Sequence, residues 1–363
     1  MKKQNLHAKA RQTVIIVAVT IVSVQLLVGG MLDYVFPEWR FIGLKQGLAN
    51  CQQADKTQPL IVVLGSSRFG GGVLPKDVEK ALHANGVSAH VVNLCAPGGD
   101  FISAEYIIQL LLQREIVPDC VLLEISPETL AKRNLWLNLH CLRQLTWFDG
   151  PRYSVDLIRS GHFLRFLASR LNPIYTFREQ IRVHLEAHLL PDWRQEIARH
   201  LQGNVGLAFQ NASEAAEQQF TKAEMLSKTQ SGTEFINRWL KHYEIGGTSK
   251  AAFDRVLHVC HQRGCKVILM GAPVTQSHRQ LYNADIERAY QKLIHASLSQ
   301  YPDMQFVDAR AVMEEQVFFD NHHLTQQGAR LFSDYVATKL LPSVQSLSNK
   351  RAKQYTSCIM PNR

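Results

Sequence analysis

Short runs of apolar, largely β-branched residues alternate with helical stretches at both ends of this chain, and few folds can accommodate that pattern. Leu60 to Leu64, Ala89 to Leu94, Cys120 to Ile125, Lys266 to Met270 and Met304 to Val307 are too short for helices and too continuous for half-exposed strands, which predicts strands buried on both faces. Between them, helices are predicted over Pro75 to Ala84, Phe101 to Arg114 with Asp100 as N-cap, Ser249 to Arg263, Gln276 to Gln300 and Thr325 to Leu341. Five such strands separated by helices imply an α/β fold, a parallel sheet covered on both sides in three layers. Ligands in such sheets sit at the carboxyl ends of the strands, so the loops after Leu64, Leu94 and Ile125 are expected to converge.

The amino terminus obeys a different rule. Residues 1–12 carry Lys2, Lys3, Lys9 and Arg11, and residues 13–32 contain one strongly polar side chain, Gln25, over a length that crosses a bilayer as a helix. The basic flank belongs in the cytoplasm, which places the chain after about Asp33 outside it. A cleaved signal peptide is the competing reading. The apolar stretch exceeds the usual core of about 7–15 residues, and no A-x-A site follows it. An aromatic juxtamembrane linker, 33–59, then leads to a domain at 60–343, followed by a basic tail at 344–363 that is expected to fray.

The formal net charge is +9, but Lys and Arg are spread along the chain and no groove-reading motif accompanies them. The excess therefore argues against nucleic acid and for anionic surfaces such as the lipid bilayer. Seven dispersed cysteines lack C-x-x-C spacing, which argues against a zinc site, and no metal or other cofactor is expected. In an oxidising compartment Cys260 and Cys265 are near enough in sequence to pair. A helical insertion at about 151–245 interleaves arginines with Phe163, Phe166, Ile174, Tyr175 and Phe177. Two readings stand for it: a basic amphipathic layer on a membrane or over the active site, and a helical cap with a solvated arginine face.

Three blocks carry chemistry. Gly65-Ser66-Ser67-Arg68 follows the first strand, where rigid backbone holds a nucleophile open to substrate; Ser67 is the candidate, with its own N–H aimed at a developing oxyanion. Phe69 stands where the second glycine of G-x-S-x-G belongs, so this is not an ordinary α/β-hydrolase elbow. In Asp320-Asn321-His322-His323, one turn of chain brings the Asp320 carboxylate to His323 Nδ1, the arrangement a general base needs. His322 lacks that spacing and is expected to turn outward or to touch substrate. Asn93 to Gly99 follows a strand and ends in two glycines, which makes Gly98 a candidate second oxyanion donor.

Together these blocks resemble the SGNH (GDSL-like) hydrolases, with Ser66 in place of the family's acid and Asp320 to His323 as its Asp-x-x-His. The resemblance covers about Leu60 to Ile125 and Ser249 to Leu341 and implies the flavodoxin-like sheet of that family. It departs after the third strand: Glu124-Ile125-Ser126-Pro127-Glu128-Thr129 replaces Gly-x-Asn-Asp, so an asparagine oxyanion donor is missing. The Gly-Ser-Ser form, the anchor and the lost asparagine are similar to DltD-like and alginate-acetylation-type SGNH proteins. That resemblance implies a serine acyltransferase or esterase. It would work on a cell-envelope glycan, draw on an acyl donor, and have a membrane-bound O-acyltransferase (MBOAT-type) as partner. Arg68, Asn93, Glu128 and His322 are the expected substrate contacts.

Overall fold

In a parallel sheet covered by helices the inner strands meet no water, and the apolar run Leu60–Leu64 forms such a strand, β1, buried along its whole length. The computed structural model describes residues 2–41, 43–132, 145–159, 161–189 and 222–359. Within it the chain divides into two units, Met1–Ile42 with Leu142–Ala198 and Gly43–Cys141 with Arg199–Arg363.

The first unit is helical. Its long helix α1 (Lys2–Gly30) runs on through a π-helical turn at Met31–Val35, and Lys9–Val35 is apolar and long enough to cross a membrane. Among the described residues this unit also holds the 3-10 turn Pro37–Arg40 and the helices Asp149–Arg159, Phe163–Leu171, Pro173–Thr176 and Arg178–Leu189. The sequence predicts breaks near Gly161, Asn172-Pro173, Pro191 and Gly203; those at Gly161 (φ +74°) and Asn172-Pro173 separate these helices, and the other two lie outside the described residues.

The second unit opens with α2 (Leu44–Gln53), so part of the presumed linker is a helix with Leu44, Leu48 and Cys51 on its buried side. After β1 come α3 (Ser67–Gly72), α4 (Pro75–Ala84), β2 (His90–Asn93), α5 (Phe101–Gln113), β3 (Cys120–Ile125) and α6 (Pro127–Leu130). The return half holds α7 (Lys222–Leu240), α8 (Gly247–Gln262), β4 (Lys266–Gly271), α9 (Gln276–Arg279), α10 (Ala284–Gln300), β5 (Gln305–Asp308) and α11 (Gln326–Ile359). All strands are parallel in the order β2-β1-β3-β4-β5. Alternate residues Ile61, Val63, Leu122, Ile268 and Met270 pack on one side with Phe69, Val78, Leu82, Phe332 and Val336. On the other side α5 lies against α8, where the Phe101 and Phe253 rings sit 4.9 Å apart.

Several expectations are corrected. β5 stands at the edge of the sheet, with Gln305 and Asp308 exposed and Phe306 and Val307 half-buried. The helix predicted over Gln276 to Gln300 is two helices, since Asn283 turns its side chain to accept from the N–H groups of Asp285 and Ile286 and starts α10 afresh. Cys260 and Cys265, whose pairing the sequence leaves open, are both buried free thiols. The tail does not fray at Ser346: α11 continues through Pro342 to Ile359, because Ser343 and Val344 extend its buried side and Leu347 packs against the core.

The continuation has an anchor. Arg351 donates from Nε and Nη2 to the two carboxylate oxygens of Asp119, at 3.0 and 2.6 Å, and from Nη1 to the carbonyls of Lys56 and Gln58. Asp119 in turn accepts from Leu60 N at 2.7 Å, so the last helix clasps the entrances of β1 and β3. Arg351→Ala should cost about 1.5–3 kcal/mol and lower the melting temperature by roughly 3–10 °C. Thermal unfolding checks this, and an unchanged melting temperature would mean the clasp contributes nothing.

Candidate active site

In a sheet of this order, the direction in which successive strands are added reverses between β1 and β3, and a crevice opens beyond their carboxyl ends. β1 ends at Gly65, where a Cβ would lie 2.6 Å from Glu124 Cβ on β3, so only glycine lets the two strand ends approach this closely. Ser66 is extended (φ −91°, ψ −168°) and caps α3, its Oγ accepting from Arg68 N at 3.2 Å. Ser67 therefore stands at the first position of α3, where its N–H has no intrahelical acceptor.

The loop before α11 brings the base. Ser67 Oγ lies 2.9 Å from His323 Nε2, and His323 Nδ1 lies 2.7 Å from Asp320 Oδ2. A carboxylate only accepts, so Nδ1 carries the proton and Nε2 is left to receive one from Ser67. Asp320 Oδ1 also accepts from the backbone N–H groups of His322 and His323, at 2.8 and 2.7 Å. Burial alone would raise the Asp320 carboxyl. The neighbouring His322 and His323 and these hydrogen bonds outweigh it and hold the group well below the usual carboxylate range.

Beneath Ser67 lies a buried ionic network. Arg68 donates from Nε to Glu124 at 2.7 Å, from Nη1 to Glu128 at 2.5 Å and from Nη2 to Ser126 Oγ at 2.9 Å. Glu124 accepts from Ser66 N at 2.7 Å, and Tyr282 OH donates to Glu128 at 2.8 Å. Burial opposes charge on Glu128, but the Arg68 guanidinium overcomes it and holds the carboxyl far below its ordinary value. Glu128 is thus an ionised partner already neutralised by Arg68.

A second chain runs from the loop into the interior. His322 Nδ1 meets Asn321 Oδ1 at 2.6 Å, Asn321 Nδ2 meets His278 Nδ1 at 3.2 Å, and His278 Nε2 faces Glu128 at 3.6 Å, beyond hydrogen-bond length. Burial and the adjacent His323 push the His322 imidazole well below its ordinary value, so it is neutral at pH 7. Asp320, His322 and His323 each offer an atom that could ligate a metal, all within 4.8 Å of one another. His323 Nδ1 and Asp320 Oδ2 hold each other, so an ion taking either atom would have to displace that contact.

A cavity of about 130 Å³ opens beside Ser67. Ser66, Arg68, Glu128, His278 and His322 form its polar side, and Phe235, Ile236 and Trp239 of α7 its apolar side. Helix α7 sits tightly on the loop, for a Cβ on Gly232 would fall 2.3 Å from Asn321 Oδ1.

The structure thus brings Ser67, Asp320 and His323 into one array and puts Arg68, Glu128 and His322 on the cavity wall. His322 does not turn outward. Asn93 is corrected: it is buried, its Nδ2 donates to the carbonyls of Phe69 and Val73 at 2.9 and 2.8 Å, and its Oδ1 accepts from Cys95 N, which leaves nothing for substrate. Gly99, rather than Gly98, lines the cavity, and its N–H is bound to Ala96 O at 2.7 Å. Sequence reasoning missed His278, Tyr282 and the three apolar residues of α7. Helical spacing of Phe235, Ile236 and Trp239 was a signal, but it does not distinguish a core face from a cavity wall. No asparagine lines the cavity among the described residues.

A parallel α/β unit with a serine–histidine–aspartate array at its switch point is the class that fold and site define. The chain belongs to the family described as "Protein of unknown function (DUF1574)", which matches residues 19–338. No curated protein matches the sequence. Among solved structures, a crystal structure of a "putative acylhydrolase" from Bacteroides fragilis is 12% identical over 84% of this chain and 93% of its own, with a TM-score of 0.33. So slight an overlap supports no inference about activity.

Folding depresses the Asp320 carboxyl, so its stabilising effect is present in full above the unfolded value near about 4 and is lost as pH falls through the folded value. The melting temperature of the native protein should exceed that of Asp320→Asn at pH 7, and the gap should close as pH is lowered from about 4. A gap that stayed constant down to acid unfolding would mean that Asp320 is not held as an anion by this array.

Proposed function

We propose that this protein is a serine acyl-transfer enzyme that forms an acyl–Ser67 intermediate. The observation that supports it is the continuous contact from Ser67 Oγ through His323 to Asp320, assembled from residues 256 positions apart in sequence. His323 Nε2 takes the Ser67 hydroxyl proton as Oγ bonds to the carbonyl carbon of an acyl ester. The oxygen that becomes negative is held by the N–H of Ser67 at the first turn of α3. The imidazolium, paired with Asp320, returns its proton to the leaving alkoxide as the C–O bond breaks. A second hydroxyl then repeats the sequence in reverse, giving up its proton to His323 and freeing Ser67.

The acceptor decides between transferase and esterase. The favoured acceptor is a hydroxyl of a cell-envelope glycan, with acyl groups supplied beside an MBOAT-type membrane protein; water as acceptor would make the enzyme an SGNH carbohydrate or lipid esterase. Support for an envelope substrate comes from α1, which is consistent with a single-pass anchor, and from the basic flank before it. A third reading, a non-catalytic glycan-binding accessory protein, has the missing asparagine in its favour.

A fluorophosphonate probe should label the native protein and leave Ser67→Ala unlabelled. Ser67→Ala and His323→Ala should each lower esterase or transfer rates by about 10³-fold or more, with the double variant little worse, and Asp320→Asn should cost less. Full activity in Ser67→Ala with an unchanged melting temperature would exclude the covalent route. In intact spheroplasts, added protease should digest the chain after Leu60; complete protection would overturn the extracytoplasmic placement.

A further inference from the structure

Polar groups inside a bilayer are costly unless protein satisfies them, and α1 carries one near its carboxyl end. Gln25 Oε1 accepts from Ile174 N at 3.2 Å, at the amino end of the helix Pro173–Thr176. Just past α1, buried Asp33 accepts from Arg170 Nη1 at 2.9 Å and faces Arg40 Nη1 at 3.5 Å. Between them Pro173 Cγ lies 3.4 Å from the place a Cβ would take on Gly29, so the two segments touch through a residue without a side chain. The helices Phe163–Leu171 and Pro173–Thr176 are therefore docked on α1 from Gln25 to Asp33.

Depth follows from length. Gln25 precedes Asp33 by eight positions, or about 12 Å along a helix axis, against about 15 Å for half a hydrocarbon core. If α1 crosses the membrane, anything docked at Gln25 lies well below the headgroups. The outward side of these helices suits that place. Phe166, Arg170 and Phe177 are buried inward, while Leu164 is 77%, Leu171 57% and Tyr175 64% exposed. Val155 and Ile158 of the preceding helix are likewise 55% and 61% exposed.

We propose that the segment from Asp149 to Thr176 is a collar sunk into the leaflet that holds the carboxyl end of α1, with its exposed aliphatic side chains among lipid acyl chains. This rests on the anchor reading of α1, with which the collar forms one continuous apolar surface, and it replaces the solvated cap among the two readings of the insertion. Tyr34, exposed just past the end of α1, would sit at the headgroup level. The collar fixes how deep the anchor sits and prevents α1 from sliding through the bilayer.

The full-length protein in nanodiscs of phosphatidylglycerol and phosphatidylcholine, doped with a lipid carrying a diazirine on its acyl chain, tests this after photolysis and peptide mapping. Lipid adducts should appear on residues 163–177 at a yield within about threefold of that on residues 13–27. Adducts on 13–27 with at least about tenfold fewer on 163–177 would overturn the collar and leave the anchor standing. Absence of adducts from both would overturn the anchor and the collar with it. Crosslinks joining the collars of two chains in place of lipid adducts would mean that a second copy, not lipid, covers this surface, and would also overturn the proposal.

Discussion

The guanidinium of Arg68 is the interaction on which the site depends. It joins Glu124 at the end of β3, Glu128 on α6 and Ser126 between them to the first turn of α3, so the two strands that flank the switch point are tied by one cation. Removing it would leave two carboxylates buried without a counter-charge, a change that typically costs about 3–5 kcal/mol. Glycine at 65 is part of the same constraint, since the Glu124 carboxylate passes where any side chain would stand. Ser67 is held in place by its neighbours on both sides, and its orientation follows from theirs.

This also accounts for the departure after β3. The Glu-Ile-Ser-Pro-Glu-Thr sequence is committed to Arg68 and to its own capping box between Ser126 and Thr129, so these residues build the floor of the site. Two adjacent histidines share one loop with separate duties: His323 is held by Asp320, and His322 by Asn321. The second is neutral at pH 7 and faces the cavity, as a hydrogen-bonding wall does.

Much of this was legible in the sequence because it is local. Continuous burial announced β1 and β3, Asp100 announced the start of α5, and the three-residue spacing of Asp320 and His323 announced their contact. What was not legible depends on partners far away in the chain. Asn93 stands in a glycine-rich block that suggests an oxyanion site, yet three-dimensional packing turns its amide onto the carbonyls of α3. His278 lies in the short polar helix α9 after β4 and gains its place only when Asn321 arrives. The length of α11 was hidden by Pro342, which looks like a stop and is overridden by buried contacts beyond it.

The distance along the chain between Ser67 and His323 has a consequence in time. At about 5–20 residues per second, the 256 positions between them take roughly 13–50 s to synthesise. Throughout that interval the nascent polypeptide has its hydroxyl but no imidazole to activate it. Arg351, which clasps the entrances of β1 and β3, emerges later still. Under the proposed acyl-transfer reading, the Ser67 hydroxyl therefore has no base until His323 has been synthesised, and a chain cut before that residue carries no activated serine.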